Sequence, residues 1–348
     1  MAMLTVRESL GLLDVPQSFT AEGVPAQPLR VVDLATAPAG IQPEELADRL
    51  GTRPQVTVGV LPGDPSPQAL RLAVACTLTL CQASREEEGW PFTVPVDDVD
   101  AALETLEQVV HAQPTAAVSL HQLLHVQAGL AVPAALVAES ATYSTLLGGS
   151  GFARWLTGRP PRRPSDSGTA VELTVEAGTL RIFLSRPQRR NAFNAAMRDA
   201  LADALTVAAA DPSLRVELHG RGPDFCAGGD LDEFGTTPDP ATGHVLRIAR
   251  SAGLGLHRVA DRTTAYLHGN CVGAGIELPS FVGRVVARPG TRFRLPELAM
   301  GLIPGAGGTV SLARRIGRWR TAWLALTGVT LDVESALSWG LVDEISPA

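Results

Sequence analysis

A mixed α/β fold is predicted by three features of this 348-residue chain. Apolar runs of strand length alternate with amphipathic runs of helical spacing, first after Leu29 and again after Thr169. Glycine-rich turns precede the helices expected near Ala274 and Gly307. Hydrophobic residues make up 45% of the chain and charged residues 19%, which is typical of a folded protein with a large core. The length predicts two domains, or one large domain with an appendage.

The first half of the chain is predicted to begin with a weakly structured lead and to continue as an α/β segment. Apolar runs bounded by turn residues indicate buried strands, and a proline followed by acidic residues indicates a helix start. Later apolar residues recur at three- and four-residue spacing, which is typical of amphipathic helices. The elements expected in order are the lead at 1–28, a strand at 29–34, a helix from 43, a strand at 56–61, a helix, a strand or both at 70–81, an acidic loop at 84–89, and helices over 96–155.

The second half is predicted to alternate strands with helices behind a short linker. A tract rich in proline and arginine at 158–168 marks the linker. Strand-like apolar runs and an alanine-rich helical run then follow each other, separated by turn residues. The elements expected in order are paired strands at 169–173 and 179–184, a helix at 194–210, and strands at 215–219, 265–268, 285–287 and 292–295, with helices beginning near 274 and 307.

The charge composition argues against a nucleic-acid partner and restricts how phosphate could be bound. The formal net charge is −7, and no basic tract offsets it. All 29 basic residues are arginines, so a phosphate contact would come from arginine, a helix N-terminus or the backbone. The sequence has no charge-free apolar run of eighteen residues, and its first residues lack a signal-peptide pattern. We therefore expect a soluble, cytoplasmic protein without a membrane partner.

The cysteines and two of the histidines are expected to be structural. No two cysteines have CxxC spacing, so we expect buried thiols and no disulfide framework. The four cysteines are Cys76, Cys81, Cys226 and Cys271. His121 and His125 have a spacing that can chelate a metal on one helix face, but no acidic or cysteine partner is near them in sequence. A core or solvated histidine pair, and no metal site, is the prediction.

Two glutamates twenty residues apart are the main candidates for chemistry. Glu277 lies in the segment GAGIEL and Glu297 in the segment RLPEL, and a glycine-rich run, PGAGG, follows at 304–308. Glycines let backbone N–H groups approach a ligand closely, and a turn that opens a helix presents unpaired donors. Paired carboxylates beside such donors suit acid/base chemistry on a carbonyl compound.

A series of motifs in a fixed order carries a resemblance to a known enzyme family. They are RP at 186–187, NA at 191–192, FCAGGDL at 225–231, HGNCVGAGIEL at 268–278, LPE at 295–297, GLIPGAGGT at 301–309, LTG at 326–328 and WGLV at 339–342. One glycine motif alone is weak evidence, whereas the whole series with both acids present is specific. Over about residues 170–345 the chain therefore resembles the crotonase (enoyl-CoA hydratase/isomerase) superfamily.

The resemblance implies a crotonase-like core, a spiral of ββα turns within the α/β class. The expected N-terminal domain with α/β and helical parts follows from the strand-like and helical patterns of the first half and not from the resemblance. The resemblance also implies an oxyanion hole, whose donors by motif position are the backbone N–H groups of Gly229 and Ala274. Fixed amide dipoles stabilise the enolate-like oxygen that a thioester carbonyl becomes during the reaction. Ala274 stands where glycine is usual in the family, and a backbone donor tolerates this change if φ at Ala274 is negative.

The resemblance also assigns roles to the two acids. Glu277 is expected to be the base that activates water for attack at C3, and Glu297 the acid that protonates C2. Because both positions are glutamate, hydration or dehydration of an α,β-unsaturated acyl thioester by a lyase is the favoured function. No metal or redox cofactor is expected, since CoA would arrive as part of the substrate. The alternatives are an acyl-thioester isomerase or decarboxylase, and a non-catalytic partner protein in a biosynthetic pathway.

The contact to the far end of the thioester departs from the family pattern. Lysines are usual near these loops in the family, but the corresponding positions here are Gln188, Pro223 and Asp232. The resemblance leaves Ala227, Arg189 and Arg190 as the expected contacts, although an acid at position 232 repels phosphate. The substrate is therefore expected to be either an acyl-CoA or an acyl thioester bound to a carrier protein.

Residues 95–163 resemble the helical tail that usually follows the core in this family. The features that carry this resemblance are the segment 95–98, the helical run after it, the segment 112–114, Glu139, and the segments 143–146 and 152–156. We predict a rearranged enzyme with a lead at 1–28, a degenerate crotonase-like or helical lid domain at 29–163, a linker at 164–168 and a catalytic core at 169–348. An unrelated helical domain is the alternative.

Two further expectations accompany the predicted lid. The family favours a homotrimer or a dimer of trimers. Tyr143, Phe152 and Trp155 are expected either to line the acyl or adenine pocket or to pack in an ordinary core.

Overall fold

Two compact units form the protein. The computed structural model describes residues 2–38, 40–83, 90–160, 168–237 and 239–346. The first unit comprises Met1–Gly129 with Ile316–Gly328, and the second comprises Leu130–Arg315 with Val329–Ala348. Strands and helices alternate in both, which confirms the predicted mixed α/β class. The predicted acidic loop at 84–89 and most of the predicted linker at 164–168 lie outside the described residues.

The first unit is built on a five-stranded parallel sheet whose strands follow chain order. Its strands are β1 Met3–Thr5, β2 Leu29–Asp33, β3 Val56–Val60, β4 Leu78–Gln82 and β5 Val94–Val96. Its helices are α1 Val6–Gly11, α2 Pro43–Gly51, α3 Pro67–Ala73, α4 Val99–Ala112 and α5 Pro114–Val126. The inner strands β3 and β4 are buried on both faces over four consecutive residues, which is typical of parallel sheets.

The lead at 1–28, predicted to be weakly structured, instead contributes a strand and a helix. Strand β1 pairs with β2, so that Met3 lies opposite Val31 and Thr5 lies opposite Asp33. Thr5 caps α1, because its hydroxyl accepts from the Glu8 amide while the Glu8 carboxylate accepts from the Thr5 amide. The strand has three residues and the helix six, so neither is long enough for its apolar period to be recognised in the sequence.

The histidine pair of α5 lies in the core of the first unit, which is one of the two predicted alternatives, a core pair or a solvated pair. The Thr77 hydroxyl lies 2.7 Å from Nδ1 of His121, and the Leu50 carbonyl lies 3.0 Å from Nε2. A neutral ring with its proton on Nε2 satisfies both partners, since the Leu50 carbonyl can only accept. Burial lowers the pKa of His121 to about 3 and that of His125 to about 4.

The second unit contains a six-stranded sheet and a small three-stranded sheet. Its strands are β6 Val171–Glu176, β7 Thr179–Leu184, β8 Arg215–Gly220, β9 Thr263–Leu267, β10 Asn270–Val272, β11 Arg284–Ala287, β12 Arg292–Arg294, β13 Leu331–Asp332 and β14 Glu344–Ile345. Its helices are α6 Val132–Leu147, α7 Ser150–Thr157, α8 Ala195–Ala210, α9 Pro240–Ala249, α10 Ala252–Arg258, α11 Ala274–Glu277, the first part of α12 Gly308–Thr327, and α13 Val333–Ser338. Gly317 breaks α12 with φ 84° and ψ 151°, one residue beyond the start of the segment that belongs to the first unit.

The large sheet has the order β14-β11-β9-β8-β7-β6 and is parallel except for the β6–β7 hairpin. Ala177 and Gly178 close that hairpin with φ of 47° and 75°, the left-handed pair that a two-residue turn requires. The small sheet pairs β10 in parallel with β12, and β12 antiparallel with β13. The predicted strand pair joined at 177–178 and the predicted helices near 274 and 307 are therefore confirmed.

The predicted division at 164–168 differs from the two units that the contacts define. Helices α4 and α5 belong to the first unit, whereas α6 and α7 belong to the second. The segment predicted as one lid domain is thus shared between the units. All four cysteines are buried and free, as predicted. Within the described part of the chain, no helix has the length and apolar character needed to cross a bilayer.

Candidate active site

Two glycine-rich loops of the second unit are held side by side like short parallel strands. The Cys226 amide donates to the Asn270 carbonyl at 3.2 Å, and the Val272 amide donates to the Cys226 carbonyl at 2.9 Å. A Cβ at Gly275 would lie 2.3 Å from that same Cys226 carbonyl oxygen, so only glycine permits this approach. The first loop therefore lies directly against the start of α11.

The first loop presents Gly229 at a fixed position. The Phe193 amide donates to the Gly228 carbonyl at 2.7 Å, and the Asp230 amide donates to the Phe193 carbonyl at 2.9 Å. Gly228 has φ of 94°, a conformation that favours glycine. The residues on both sides of Gly229 are thus anchored to Phe193, and Arg186 holds the Asp230 carboxylate in a buried ion pair at 2.8 Å.

The second loop presents Ala274 at the first position of α11. Gly273 before it has φ of 49°, whereas Ala274 is not among the residues with positive φ. The condition under which an alanine can replace glycine here is therefore met. The first amides of a helix lack partners within the helix. Among the described residues, no loop or turn hydrogen bond is donated by the Ala274 amide or by the Gly229 amide.

Glu277 ends α11 and is buried, with an exposed fraction of 2%. Its Oε2 atom accepts from the Ala306 amide at 2.7 Å and from the Gly308 amide at 2.8 Å. A Cβ at Gly308 would lie 2.8 Å from that oxygen, so the turn at 306–308 fits the carboxylate only because Gly308 has no side chain. Oε2 is fully used by these bonds, and Oε1 remains the oxygen available for chemistry.

Glu297 follows β12 and lies beside Glu277. A Cβ at Gly273 would lie 2.6 Å from Oε1 of Glu297 and 3.7 Å from Oε1 of Glu277, so both carboxyls face the same glycine. Oε2 of Glu297 is buried and has no hydrogen-bond partner among the described residues. A buried carboxyl with an unpartnered oxygen favours its protonated form, because ionisation would leave a charge without donors.

A third glutamate, Glu139 of α6, shares the turn that holds Glu277. Its carboxylate accepts from the Gly307 amide at 2.7 Å and from the Thr309 amide at 2.9 Å, and the Thr309 hydroxyl lies 2.6 Å from Oε2. The backbone amides of 306–309 therefore alternate between two acids: Glu277 accepts from 306 and 308, and Glu139 accepts from 307 and 309. These amides open α12, where backbone donors are unpaired and favour negative charge.

Burial raises the pKa of all three carboxyl groups. For Glu277, the hydrogen bonds from Ala306 and Gly308 oppose the effect of burial. For Glu139, the charge of Glu277 adds to burial while its bonds to Thr309 and Gly307 oppose it. For Glu297, whose pKa is raised well above 4.5, the charge of Glu277 adds to burial. Three acids in one buried site cannot all ionise, and Glu297 holds its proton more strongly than Glu277.

These groups line one cavity that encloses about 1180 Å³ of empty space, part of it open to solvent. Of the predicted catalytic residues, it is lined by Gly229, Ala274, Glu277 and Glu297. Helix α6 contributes Leu136, Glu139, Ser140, Tyr143 and Leu147 to the wall. Helix α6, which precedes the core in sequence, is therefore the part of the predicted lid that lines the cavity.

The predicted contacts to the thioester handle, Ala227, Arg189 and Arg190, are not among the residues that line this cavity. Arg189 forms an ion pair with Asp232 at 2.9 Å, and Arg159 lies 3.5 Å from the same carboxylate. Two arginines thus surround the acid that was expected to repel phosphate. Arg190 is 68% exposed and lies 3.5 Å from Asp224. The Ala227 amide donates to the Arg190 carbonyl at 2.9 Å.

Of the three aromatic residues named from the sequence, only Tyr143 is among those that line the cavity. A Cβ at Gly305 would lie 2.5 Å from the Tyr143 ring, so the ring packs directly on the chain that precedes the Glu277 turn. Phe152 stacks on Trp155 with ring centroids 5.6 Å apart, and both contact Phe234. These two residues therefore belong to an aromatic cluster of the second unit.

In the sequence, Glu139 is only one residue of a tail-like pattern, which does not place it in the site. A signal was available, since Glu139 is the only charged residue in the sixteen-residue helix α6. A lone acid in an apolar helix is rarely buried unless it has partners. Arg198 and Arg247, which also line the cavity, were not singled out either.

Comparison with known proteins agrees with this arrangement. A family model described as enoyl-CoA hydratase/isomerase matches residues 174–348. The chain belongs to the enoyl-CoA hydratase/isomerase family. This confirms the resemblance to the crotonase superfamily that the motifs indicated.

Among family members, the chain is 35% identical over 170 residues to the 2,3-dehydroadipyl-CoA hydratase of Escherichia coli K12, covering 49% of this chain and 66% of that one. It is 34% identical over 176 residues to the 1,2-epoxyphenylacetyl-CoA isomerase of the same organism, covering 49% and 67%. A crystal structure of enoyl-CoA hydratase from Thermoplasma volcanium GSS1 is similar with a TM-score of 0.48 and 30% identity, covering 52% of this chain and 73% of that one. The chain thus spans just under two thirds of the first relative's length.

Proposed function

We propose that the protein hydrates an α,β-unsaturated acyl thioester, or catalyses the reverse dehydration. The observation that carries this proposal is the pairing of two buried glutamates, Glu277 and Glu297, across one glycine in a cavity that Gly229 and Ala274 also line. Hydration needs one acid/base group for water and one for carbon, together with donors for the thioester oxygen. All of these parts lie in the same cavity.

The amides of Gly229 and Ala274 are proposed to form the oxyanion hole. Both belong to loops that backbone hydrogen bonds hold together, so the two donors keep their positions while charge develops on the thioester oxygen. Loss of one such donor typically raises a barrier by about 2.7–4 kcal/mol. Family membership supports this role, because hydratases and isomerases both act through a stabilised enolate.

Glu277 is proposed as the base and Glu297 as the acid. Glu277 keeps Oε1 available while two amides support its charge through Oε2, which suits activation of water. Glu297 holds its proton because burial and the charge of Glu277 raise its pKa, which suits delivery of a proton to C2. The two groups titrate as a coupled pair, so these roles describe the dominant protonation state.

The proposed thioester handle is CoA. Arg189 and Arg159 surround Asp232, so this acid opposes phosphate less than its sequence position suggested. Arg190 adds an exposed cation nearby in sequence. Comparing the same acyl group on CoA and on a carrier protein tests this choice, and faster turnover of the carrier-bound form would refute it.

Hydration is tested with trans-2-enoyl-CoA, by following loss of the conjugated thioester absorbance and the mass gain of one water in the product. Glu277→Gln and Glu297→Gln are each expected to lower kcat by about 10²- to 10⁴-fold. Glu334→Gln, on the exposed side of α13, is the matched control. Full activity of both site variants would refute the catalytic roles. A product with a moved double bond and no added water would assign the isomerase reaction instead.

A further inference from the structure

The acyl side of the cavity carries a cation that the proposed hydration does not use. Arg247 of α9 lines the cavity, and its guanidinium lies 4.8 Å from the centroid of the Tyr143 ring. Its Nε atom donates to the Ser140 hydroxyl at 3.1 Å, and its Nη2 atom donates to the Ser144 hydroxyl. The guanidinium is therefore held in a defined position by α6.

Arg247 has no carboxylate partner among the described residues. Its neighbours are two hydroxyls, the Ser140 carbonyl and an aromatic ring, and among the described residues Nη1 has no hydrogen-bond partner. Glu139 is near enough to act on Arg247 through its charge, but both of its carboxylate oxygens accept hydrogen bonds from Gly307 and Thr309. A half-buried cation without an anion is unfavourable, since burial removes hydration that no ion pair replaces.

A second cation lines the same cavity. Arg198 at the start of α8 is 18% exposed, and its charge adds to burial in lowering the pKa of Arg247. Arg198 contacts Asp199 through Nε and Nη2, which leaves Nη1 without a partner in the described structure. Two like charges close together repel each other, and a bound anion would relieve that repulsion.

The remaining acids of the cavity wall are already engaged. Asp230 is paired with Arg186 at 2.8 Å, and Glu233 accepts from the Ala195 amide at 2.8 Å. Neither lies within ion-pair distance of Arg247. Within the described part of the chain, Arg247 thus feels the charge of Glu139 but has no carboxylate in hydrogen-bond contact.

The position of Arg247 relative to the glutamates defines what could supply the charge. Tyr143 packs on Gly305 with one part of its ring and contacts the Arg247 guanidinium with its face. Gly305 directly precedes the turn that binds Glu277. Leu136, Leu147 and Ile248 line the same cavity. A ligand that extends from Glu277 toward Arg247 would pass an apolar wall and end at a cation, which favours an apolar segment followed by an anion.

We propose that Arg247, with Arg198, binds a carboxylate at the distal end of a short acyl chain, so that the substrate is an acyl thioester with a second, free carboxyl group. This inference rests on the proposed function for the identity of the thioester end. Arginine suits this task because its planar guanidinium binds carboxylate through directed hydrogen bonds.

The test uses two pairs of CoA esters of matched chain length, one member ending in methyl and the other in carboxylate. In one pair the chains are saturated and cannot react, and calorimetry measures their binding. In the other pair they are trans-2-enoyl esters, and hydration is measured. The wild-type protein is compared with Arg247→Met, with Arg247→Lys, and with Arg258→Met, which removes an exposed arginine from α10.

We expect the wild type to prefer the carboxylate-ended member of each pair. Arg247→Met is expected to lower that preference by about 10- to 100-fold, the usual effect of removing a charged hydrogen-bond partner. The wild type and Arg247→Met should bind the methyl-ended ester equally. Arg247→Lys should recover part of the preference for the carboxylate-ended ester, and Arg258→Met should retain all of it.

The proposal is overturned if the wild-type protein does not prefer the carboxylate-ended esters or if Arg247→Met keeps that preference. It is also overturned if Arg247→Met loses both esters equally, which would indicate a packing role between α6 and α9. Failure of the hydratase function is seen separately. Preference for the carboxylate-ended saturated ester without turnover of its enoyl form would support the subsite and refute hydration, and turnover without preference would do the reverse.

Discussion

Replacing Glu297 by glutamine is expected to lower kcat by about 10²- to 10⁴-fold while making the second unit more stable at neutral pH than the native protein is. Glu297 is 8% exposed, and its Oε2 atom has no partner in the described structure. Burial first, and then the charge of Glu277, raise the pKa of Glu297 well above 4.5. The folded protein therefore retains a proton that the unfolded chain has released. Glutamine has nearly the shape of the protonated carboxyl and no proton to lose.

The magnitude follows from proton linkage. A carboxyl whose pKa is raised on folding stabilises the fold fully below the unfolded pKa, and this stability is lost as pH rises toward the folded pKa. The loss is about 1.4 kcal/mol per pH unit while the folded group stays protonated. As pH rises through this range the native protein should therefore lose stability that Glu297→Gln retains.

The assay is urea unfolding of both proteins at pH 5.5, 6.5 and 7.5, followed by circular dichroism, with hydration kinetics on the same samples. Glu334→Gln serves as the surface control for the same chemical change. Parallel dependences on pH for the native protein and Glu297→Gln would show that Glu297 is ionised in the fold. Such a result would refute its assignment as the acid, whatever the activity of the variant.

Three further perturbations test other parts of the structure. Gly308→Ala would place a Cβ 2.6 Å from Cγ of Glu277, so we expect kcat to fall by about 10²-fold or more while circular dichroism shows a retained fold. An unchanged kcat would contradict the placement of Glu277 on this turn. Glu139→Ala leaves three donors without an acceptor and should lower the free energy of unfolding by about 3 kcal/mol or more. Thr309→Val removes one hydrogen bond and should lower it by about 1 kcal/mol. Equal losses in the two variants would contradict the binding of Glu139 by this turn. Acidification should destabilise the first unit, because burial lowers the pKa of His121 to about 3 and that of His125 to about 4, so that the neutral rings are the folded forms. The stability is present above pH 6.5, and each ring should account for a loss of about 2 kcal/mol at pH 5. Thermal unfolding at both pH values should show that His121→Gln loses about half of this dependence, and an unchanged dependence would contradict the neutral His121.

The strands and the loops of the site were predictable because local sequence determines them. Val56–Val60 is apolar and followed by turn residues, and Gly275 permits the close approach of the Cys226 carbonyl. Glu277, Glu297, Gly229 and Ala274 were therefore placed in one site from their motifs, and the structure brings them to one cavity. The family order of the motifs supplied the long-range information that periodicity lacks.

The parts that were not predicted depend on contacts between distant segments. Glu139 and Arg247 reach the cavity from α6 and α9, and no local pattern indicates which face of these helices meets the glycine-rich turn. The same limit applies to the shared segment 95–163, whose helices are uniformly amphipathic or apolar although they belong to two units. Helical periodicity identifies a buried face but does not identify the surface that covers it.

The alternation of the 306–309 amides between Glu277 and Glu139 has a consequence for how this unit is made. Glu139 and its partners Gly307 and Thr309 are separated by 168 and 170 positions in the chain. During synthesis the acid of α6 emerges long before the amides that compensate its burial, so α6 cannot settle into its final place until the turn exists. Closing such long loops is entropically costly and slow. The turn at 306–309 and the docking of α6 should therefore form together, late and in one cooperative step, which ties completion of the cavity to correct folding of the second unit.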